Sequence, residues 1–234
     1  MSIRDNIARI RERIVAAALR AGRNSKEIQL MAVTKTFPFE RIREAYEAGL
    51  CLFGENRVQE YAGKAEALGD LRDAEWHMIG HLQSNKAGKA AELFAAVDSL
   101  DSLRLAQKLD AAAQQLGKKL ATLIEINIGG EAAKSGMLPD SKDLEELLQS
   151  APDLIHLEFR GLMTVPPFTE DPEQARAFFR KLRKLRDDIA ARGLPGIGMS
   201  ALSMGMSHDF EIAIEEGSTC VRVGTAIFGE RTRA

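Results

Sequence analysis

Lys35 ends the run Leu30, Met31, Ala32, Val33, Thr34, so a lysine closes an otherwise uncharged, strand-like segment. Burial lowers an amine's pKa by desolvation, and a neutral amine can attack a carbonyl to form an imine. The alternative is an ordinary lysine whose ammonium reaches water at the strand end. Far along the sequence, SMGMS (203–207) and VGTAIFG (223–229) bring together glycines, hydroxyls and backbone N–H groups. HDFEIAIEEG follows Ser207 and reads as the start of a helix, whose first amides favour negative charge. These two segments read as an anion site, with simple tight turns as the alternative.

The four histidines raise a metal reading. His77 and His81 are spaced H-x3-H, but four residues of extended strand cover roughly 13 Å, so sharing an ion requires a sharp turn at Gly80. His156 and His208 stand alone, without a carboxylate cluster, so structural histidines and no metal are expected. Cys51 and Cys220 lie in apolar runs and are expected to be two reduced core thiols.

The elements that must position these residues alternate strand and helix. The first helix repeats Ile3, Ile7, Ile10, Ile14 and Ala18, with Ser2 and Asp5 as a starting box and Gly22 as a stop. Strand-like runs follow at 30–35, 51–56, 75–80, 95–100, 121–128, 157–165, 197–204 and 219–229. Amphipathic stretches separate them, such as the one closed by Gly117 and the one opened by Asp171 and Pro172 and closed by Gly193. Eight strands alternating with helices predict a (β/α)8 barrel of parallel strands, with an open doubly wound sheet as the alternative. Only ERTRA follows the eighth strand, so the leading helix is expected to fill the outer-ring slot after it. In such a barrel the chemistry gathers at the carboxyl ends of the strands, where Lys35, Asn56, His81, Asn127, Thr164, Ser203 and Arg222 fall.

The 234 residues carry 45% apolar and 28% charged side chains, which excludes disordered and fibrous classes. A net charge of −2 gives no basic excess for nucleic acid or an anionic membrane. No apolar run approaches the ~20 residues that span a bilayer, and the charged N-terminus lacks a secretory core. A cytoplasmic protein of one domain, residues 1–234, is expected, working as a monomer or a homodimer.

An imine-forming lysine at strand one with a phosphate cup at strands seven and eight suggests pyridoxal 5′-phosphate. The sequence resembles the pyridoxal phosphate homeostasis proteins, the YggS/PROSC family. The resemblance rests on AVTKT (32–36), FGENRVQE (53–60), WHMIGHLQSNK (76–86), INIGGEAAKSG (126–136), RGLMTV (160–165), LSMGMSHD (202–209) and VRVGTAIFGER (221–231). It implies an alanine-racemase-like (β/α)8 TIM-type barrel in which Lys35 forms the internal aldimine with pyridoxal 5′-phosphate. By the same resemblance, Ser203, Ser207, Gly224 and Thr225 fall in phosphate-binding segments, and Arg222 faces the pyridine nitrogen. Asn56 and Met163 fall in motifs that line the cofactor face. Thr34 stands where many relatives have Ser, and His208 where many have another residue.

The implied place of Arg222 bears on the chemistry. A permanent donor keeps the ring nitrogen unprotonated, which makes the cofactor a weaker electron sink than one facing a carboxylate. Racemisation would need a second acid/base opposite Lys35, and the two tyrosines, Tyr46 and Tyr61, lie in helical stretches. A sequence ending just after strand eight leads to the expectation of no second domain. The function expected is a non-catalytic carrier of pyridoxal phosphate, serving cofactor homeostasis and amino-acid and keto-acid balance, with apoenzymes as possible recipients. A pyridoxal-phosphate-dependent amino-acid racemase with a minimal pocket is the alternative. A sugar-phosphate barrel enzyme using Lys35 as an aldolase-type amine is the third.

Overall fold

The computed structural model describes residues 2–230; Met1 and residues 231–234, most of the ERTRA end, lie outside the described residues. The chain runs α1 (Ile3–Arg20), β1 (Gln29–Val33), α2 (Phe39–Glu47), β2 (Leu52–Glu55), α3 (Val58–Ala65) and β3 (Glu75–Met78). It continues through α4 (Ala87–Leu93), β4 (Ala96–Leu100), α5 (Leu103–Gln115), β5 (Leu120–Glu125), α6 (Lys142–Ser150) and β6 (Leu157–Met163). It ends with α7 (Arg176–Ala191), β7 (Ile197–Ser203), α8 (Phe210–Glu215), β8 (Cys220–Val223) and α9 (Thr225–Phe228).

The eight strands close into a barrel in sequence order, β1 to β8. Every pairing is parallel, and the seam joins β1 to β8 with Met31 opposite Arg222 and Ala32 opposite Val223. Strands covered by helices outside and side chains inside are buried on both faces, which is why β4 and β5 are buried at every position. The barrel is locally irregular where β6 meets β7, between Phe159 and Gly161. A Cβ at Gly161 would fall 1.9 Å from the Ala201 carbonyl oxygen, so only glycine permits that approach.

The leading helix occupies the predicted slot. Ser2 and Asp5 form a reciprocal capping box, and Ile3, Ile7, Ile10 and Ile14 are buried. Each buried isoleucine contributes about 1.5–3 kcal/mol. α1 packs against α8, α9 and α2, closing the helical ring across the β8–β1 seam. Arg13 to Glu211, Arg20 to Glu215 and the Asn6 amide to the Ile227 carbonyl fix its orientation.

Three readings of the sequence are corrected. The eighth strand is Cys220–Val223, and Thr225–Phe228 is helical, because an apolar run alone does not distinguish a buried strand from a buried helix and Gly224 breaks the chain between them. The first and fifth strands stop at Val33 and Glu125, short of Lys35 and Asn127. Cys220 is buried, its thiol pushed up to about 12 by burial, but Cys51 is exposed rather than in the core, one residue before β2 at the amino-terminal rim.

Candidate functional site

Lys35 stands two residues beyond β1, in a turn closed by the Phe37 amide donating to the Thr34 carbonyl. Thr36, the third residue of that turn, has φ of 68°, a conformation that costs a β-branched residue about 1–3 kcal/mol. The surroundings hold it there. The Thr36 amide donates to the Glu60 carboxylate, and the Lys64 ammonium, on the same helix, donates to Glu60 at 2.7 Å and to the Thr34 carbonyl at 3.2 Å. Lys64 also reaches Glu55 at 3.1 Å, and Thr34 Oγ1 donates to that carboxyl at 2.7 Å. The strand-like run before Lys35 therefore ends on a polar clamp built from β2 and α3.

β7 and β8 supply the opposite charge preference. Arg222 is 3% exposed and donates to Ser203 Oγ at 2.7 Å and to the Thr164 carbonyl at 2.6 Å. Burial draws its pKa down while Cys220, Asp98, Asp209 and Glu125 push it back up, and a guanidinium stays charged at neutral pH. Gly205, at φ of 93°, lets the chain turn after β7, and the Asp209 carboxylate accepts the Met206 amide at 2.6 Å to close that turn. Ser207 is carried on this turn, and its hydroxyl faces the Ala226 amide of α9 at 3.4 Å.

The β2 and β3 ends meet through a glycine. A Cβ at Gly80 would lie 2.4 Å from the Asn56 carbonyl oxygen, so glycine there lets the strand end press against Asn56 and hold it at the barrel mouth. Beside it, His81 Nδ1 pairs with Asp101 at 2.9 Å. Deeper inside, His77 Nδ1 lies 3.1 Å from Asp98; burial draws this imidazole down, but Asp98 outweighs it and the net shift is upward. His156 pairs with Asp110, and His208 Nε2 with the Glu170 carbonyl. His77 and His81 are thus engaged separately, each with its own carboxylate, and no group of three potential metal ligands occurs among the described residues.

A cavity of about 820 Å³ opens at the carboxyl ends of the strands, lined by Lys35, Asn56, Ser207, Arg222, Gly224 and Thr225. Six of the eight residues singled out in the sequence therefore line this one cavity. Ser203 and Met163 do not line it; both are wholly buried, and Ser203 touches the site through the Arg222 guanidinium. Asn127 binds its own loop instead, donating to the Glu131 and Lys134 carbonyls. Sequence reasoning missed Glu125, which lines the cavity as the last residue of β5. The signal was present: a lone carboxylate in the apolar run ATLIEINI.

The protein is a closed parallel barrel with Lys35 at the mouth of β1 and the buried Arg222 on β8, and the family model of the alanine racemase N-terminal domain matches residues 2–232. An alanine racemase from Clostridium difficile 630 shares this fold with a TM-score of 0.72 at 16% identity, covering 98% of this chain and 56% of its own. At the level of sequence, the chain is 46% identical over 231 residues to the pyridoxal phosphate homeostasis protein of Aquifex aeolicus, covering 99% of both. PipY of Synechococcus elongatus PCC7942, solved with PLP bound, is 39% identical with a TM-score of 0.81, covering 94% of this chain and 100% of that one. The chain belongs to the pyridoxal phosphate homeostasis protein family.

Proposed function

We propose that this chain is a non-catalytic carrier of pyridoxal 5′-phosphate that acts in the homeostasis of that cofactor. The observation that carries the reading is the convergence of Lys35, Arg222 and the hydroxyls of Ser207 and Thr225 on one cavity. The relatives' names and the PLP-bound neighbour support it over the racemase alternative. The donor set fits the group: an amine for an aldehyde, a guanidinium for a ring nitrogen, and hydroxyls with helix-start amides for a phosphate.

When bound, the cofactor supplies an aldehyde that condenses reversibly with amines. Lys35 would hold it through its amine, presented by the strained turn and the clamp of Glu60 and Lys64. Ser207, Gly224 and Thr225 would receive the phosphate where α9 begins. Arg222 offers only N–H donors, so beside the ring nitrogen it would keep a proton off it, which suits storage more than turnover. Ser203 accepts from Arg222 and orients it, and Asn56 would contribute to the wall beside the ring. Met163, the last residue of β6, is fully buried and would act only through the residues around it. The proposed place of action is the cytoplasm, with cofactor-requiring apoenzymes as recipients. Among the described residues no helix is long and apolar enough to cross a membrane.

The test is the visible absorption of the purified protein before and after borohydride reduction, followed by peptide mapping. The expected result is a yellow protein whose reduced adduct maps to Lys35, and a Lys35→Ala variant that folds but carries no adduct. A protein that stays colourless after incubation with pyridoxal phosphate overturns the reading. Sustained loss of optical rotation from L-alanine, abolished by Lys35→Ala, overturns the carrier in favour of a racemase.

A further inference from the structure

A second concavity lies at the other end of the barrel. Lys35 and Asn56 line the first cavity just beyond the carboxyl ends of β1 and β2, whereas a groove of about 410 Å³ opens at the amino ends of the same two strands, against α1. Its apolar lining includes Ile14 and Val15 of α1, Leu30 of β1 and Leu52 of β2, and Val15 is 52% exposed. The ionisable side chains that line it are Arg11, Lys26 and the Cys51 thiol; no carboxylate does, and Glu12 and Glu27, next in sequence to the two cations, stay outside the lining. On the same helix Arg13 and Arg20 are ion-paired, with Glu211 and Glu215. Arg11 instead donates to the Gly49 carbonyl at 2.7 Å and has no carboxylate partner among the described residues, and the Lys26 ammonium has neither a hydrogen bond nor an ion pair among them.

Water solvates an exposed cation well, so two cations alone would specify nothing, and an apolar floor alone would select no head group. Together they define a ligand with both features. The floor gains by covering an aliphatic chain, because apolar surface leaves water. The cations at its edge gain by pairing with an anion, and a guanidinium with N–H groups still free matches a carboxylate. The groove's volume lies within the ~300–1,000 Å³ typical of small-molecule sites. We propose that this groove binds an amphipathic anion, an aliphatic chain ending in a carboxylate, with the chain on Ile14, Val15, Leu30 and Leu52 and the head at Arg11 and Lys26. The site is separate from the cofactor cavity, and its occupancy is measurable whether or not pyridoxal phosphate is bound.

The probe is octanoate, compared with octylammonium, which has the same kind of tail and the opposite charge, and with acetate, which has the head without the tail. Cys51 serves as the reporter. It lines the groove and is exposed, whereas Cys220, the other cysteine, is buried, so alkylation of the native full-length protein by iodoacetamide reads Cys51. The rate is followed by mass spectrometry as each probe is raised. The expected result is a saturable slowing of alkylation by octanoate, half-complete at a concentration at least fivefold below that needed with octylammonium, and no slowing by acetate. Exposed ion pairs are individually weak, so a preference of about fivefold is what two of them supply. The double variant Arg11→Gln, Lys26→Gln should lose that preference while octylammonium acts no less than before. Absence of saturable protection by octanoate overturns the proposal, and so does equal protection by octylammonium, which would mean adsorption to an apolar surface only. Both outcomes are read on the unmodified protein, so they decide even where the double variant fails to fold. Undiminished preference for octanoate in a double variant that melts normally overturns it as well.

Discussion

Glu55 and Glu125 are the last residues of β2 and β5, and both are buried carboxyls with an Oε2 that finds no partner among the described residues. Burial pushes both pKa values up. They differ in what answers that burial. Glu55, fully enclosed, has the Lys64 ammonium at 3.1 Å and the Thr34 hydroxyl at 2.7 Å. Among the described residues Glu125 has only the Ser135 hydroxyl as a hydrogen-bond donor to its carboxyl, and it borders the cavity. A carboxyl whose countercharge is part of the fold serves the fold; here it helps hold the Lys35 turn. One whose nearby positive groups, here Arg222 and His81, are engaged with other partners bears its burial with less compensation.

The largest expected effect comes from removing the built-in cation. Lys64→Met leaves Glu55 buried without its partner and should cost about 3–5 kcal/mol in a urea melt. A loss below about 1 kcal/mol would mean that Glu55 carries no charge for Lys64 to balance. Next, Thr34→Val removes a hydrogen bond to the same carboxyl and should cost about 1–3 kcal/mol, read in the same way. At the β5 site, Glu125→Gln should change stability near pH 3 by less than about 1 kcal/mol, since the wild-type side chain is then largely protonated in both states.

The pH dependence sharpens the contrast. The folded pKa of Glu125 lies above its ordinary value, so between the two values the folded state binds more protons than the unfolded one. The Glu125 contribution to stability therefore falls as pH rises through that window, and the penalty is complete above the folded pKa. Glu125→Gln lacks this loss, so its stability relative to wild type should rise between pH 4 and pH 8. A flat difference would show that burial does not shift Glu125. The smallest expected effect is that of Ser135→Ala. It removes the hydrogen bond that favours the ionised carboxyl, so carbon NMR should find the Glu125 pKa raised further while stability falls by less than about 1.5 kcal/mol.

The barrel and its lysine were legible because their signals are local. Isoleucines at helical spacing and a Ser2–Asp5 cap announce α1, and an uncharged run ending in a charge announces Lys35. Glu125 gave the same kind of signal, a charge in an apolar strand, yet its burial and its missing donor depend on neighbours that the sequence does not place beside it. The strand boundaries failed where local signals are ambiguous. TCVRVGTAIFG is predominantly apolar on both sides of Gly224, and only the turn at Gly224 separates β8 from α9.

From sequence alone came the order of the elements, the (β/α)8 architecture and the assignment of Lys35, Arg222 and the glycine-rich turns to one end of the barrel. Hydrophobic periodicity, capping residues and turn glycines act within a few residues of themselves, so a sequence displays them directly. The tertiary structure alone decided that Ser203 supports Arg222 from beneath, that Lys64 answers Glu55, that Cys51 is exposed, and that Glu125 faces a cavity. Those outcomes depend on desolvation and charge pairing between strands far apart in sequence, and neither exists until the barrel closes.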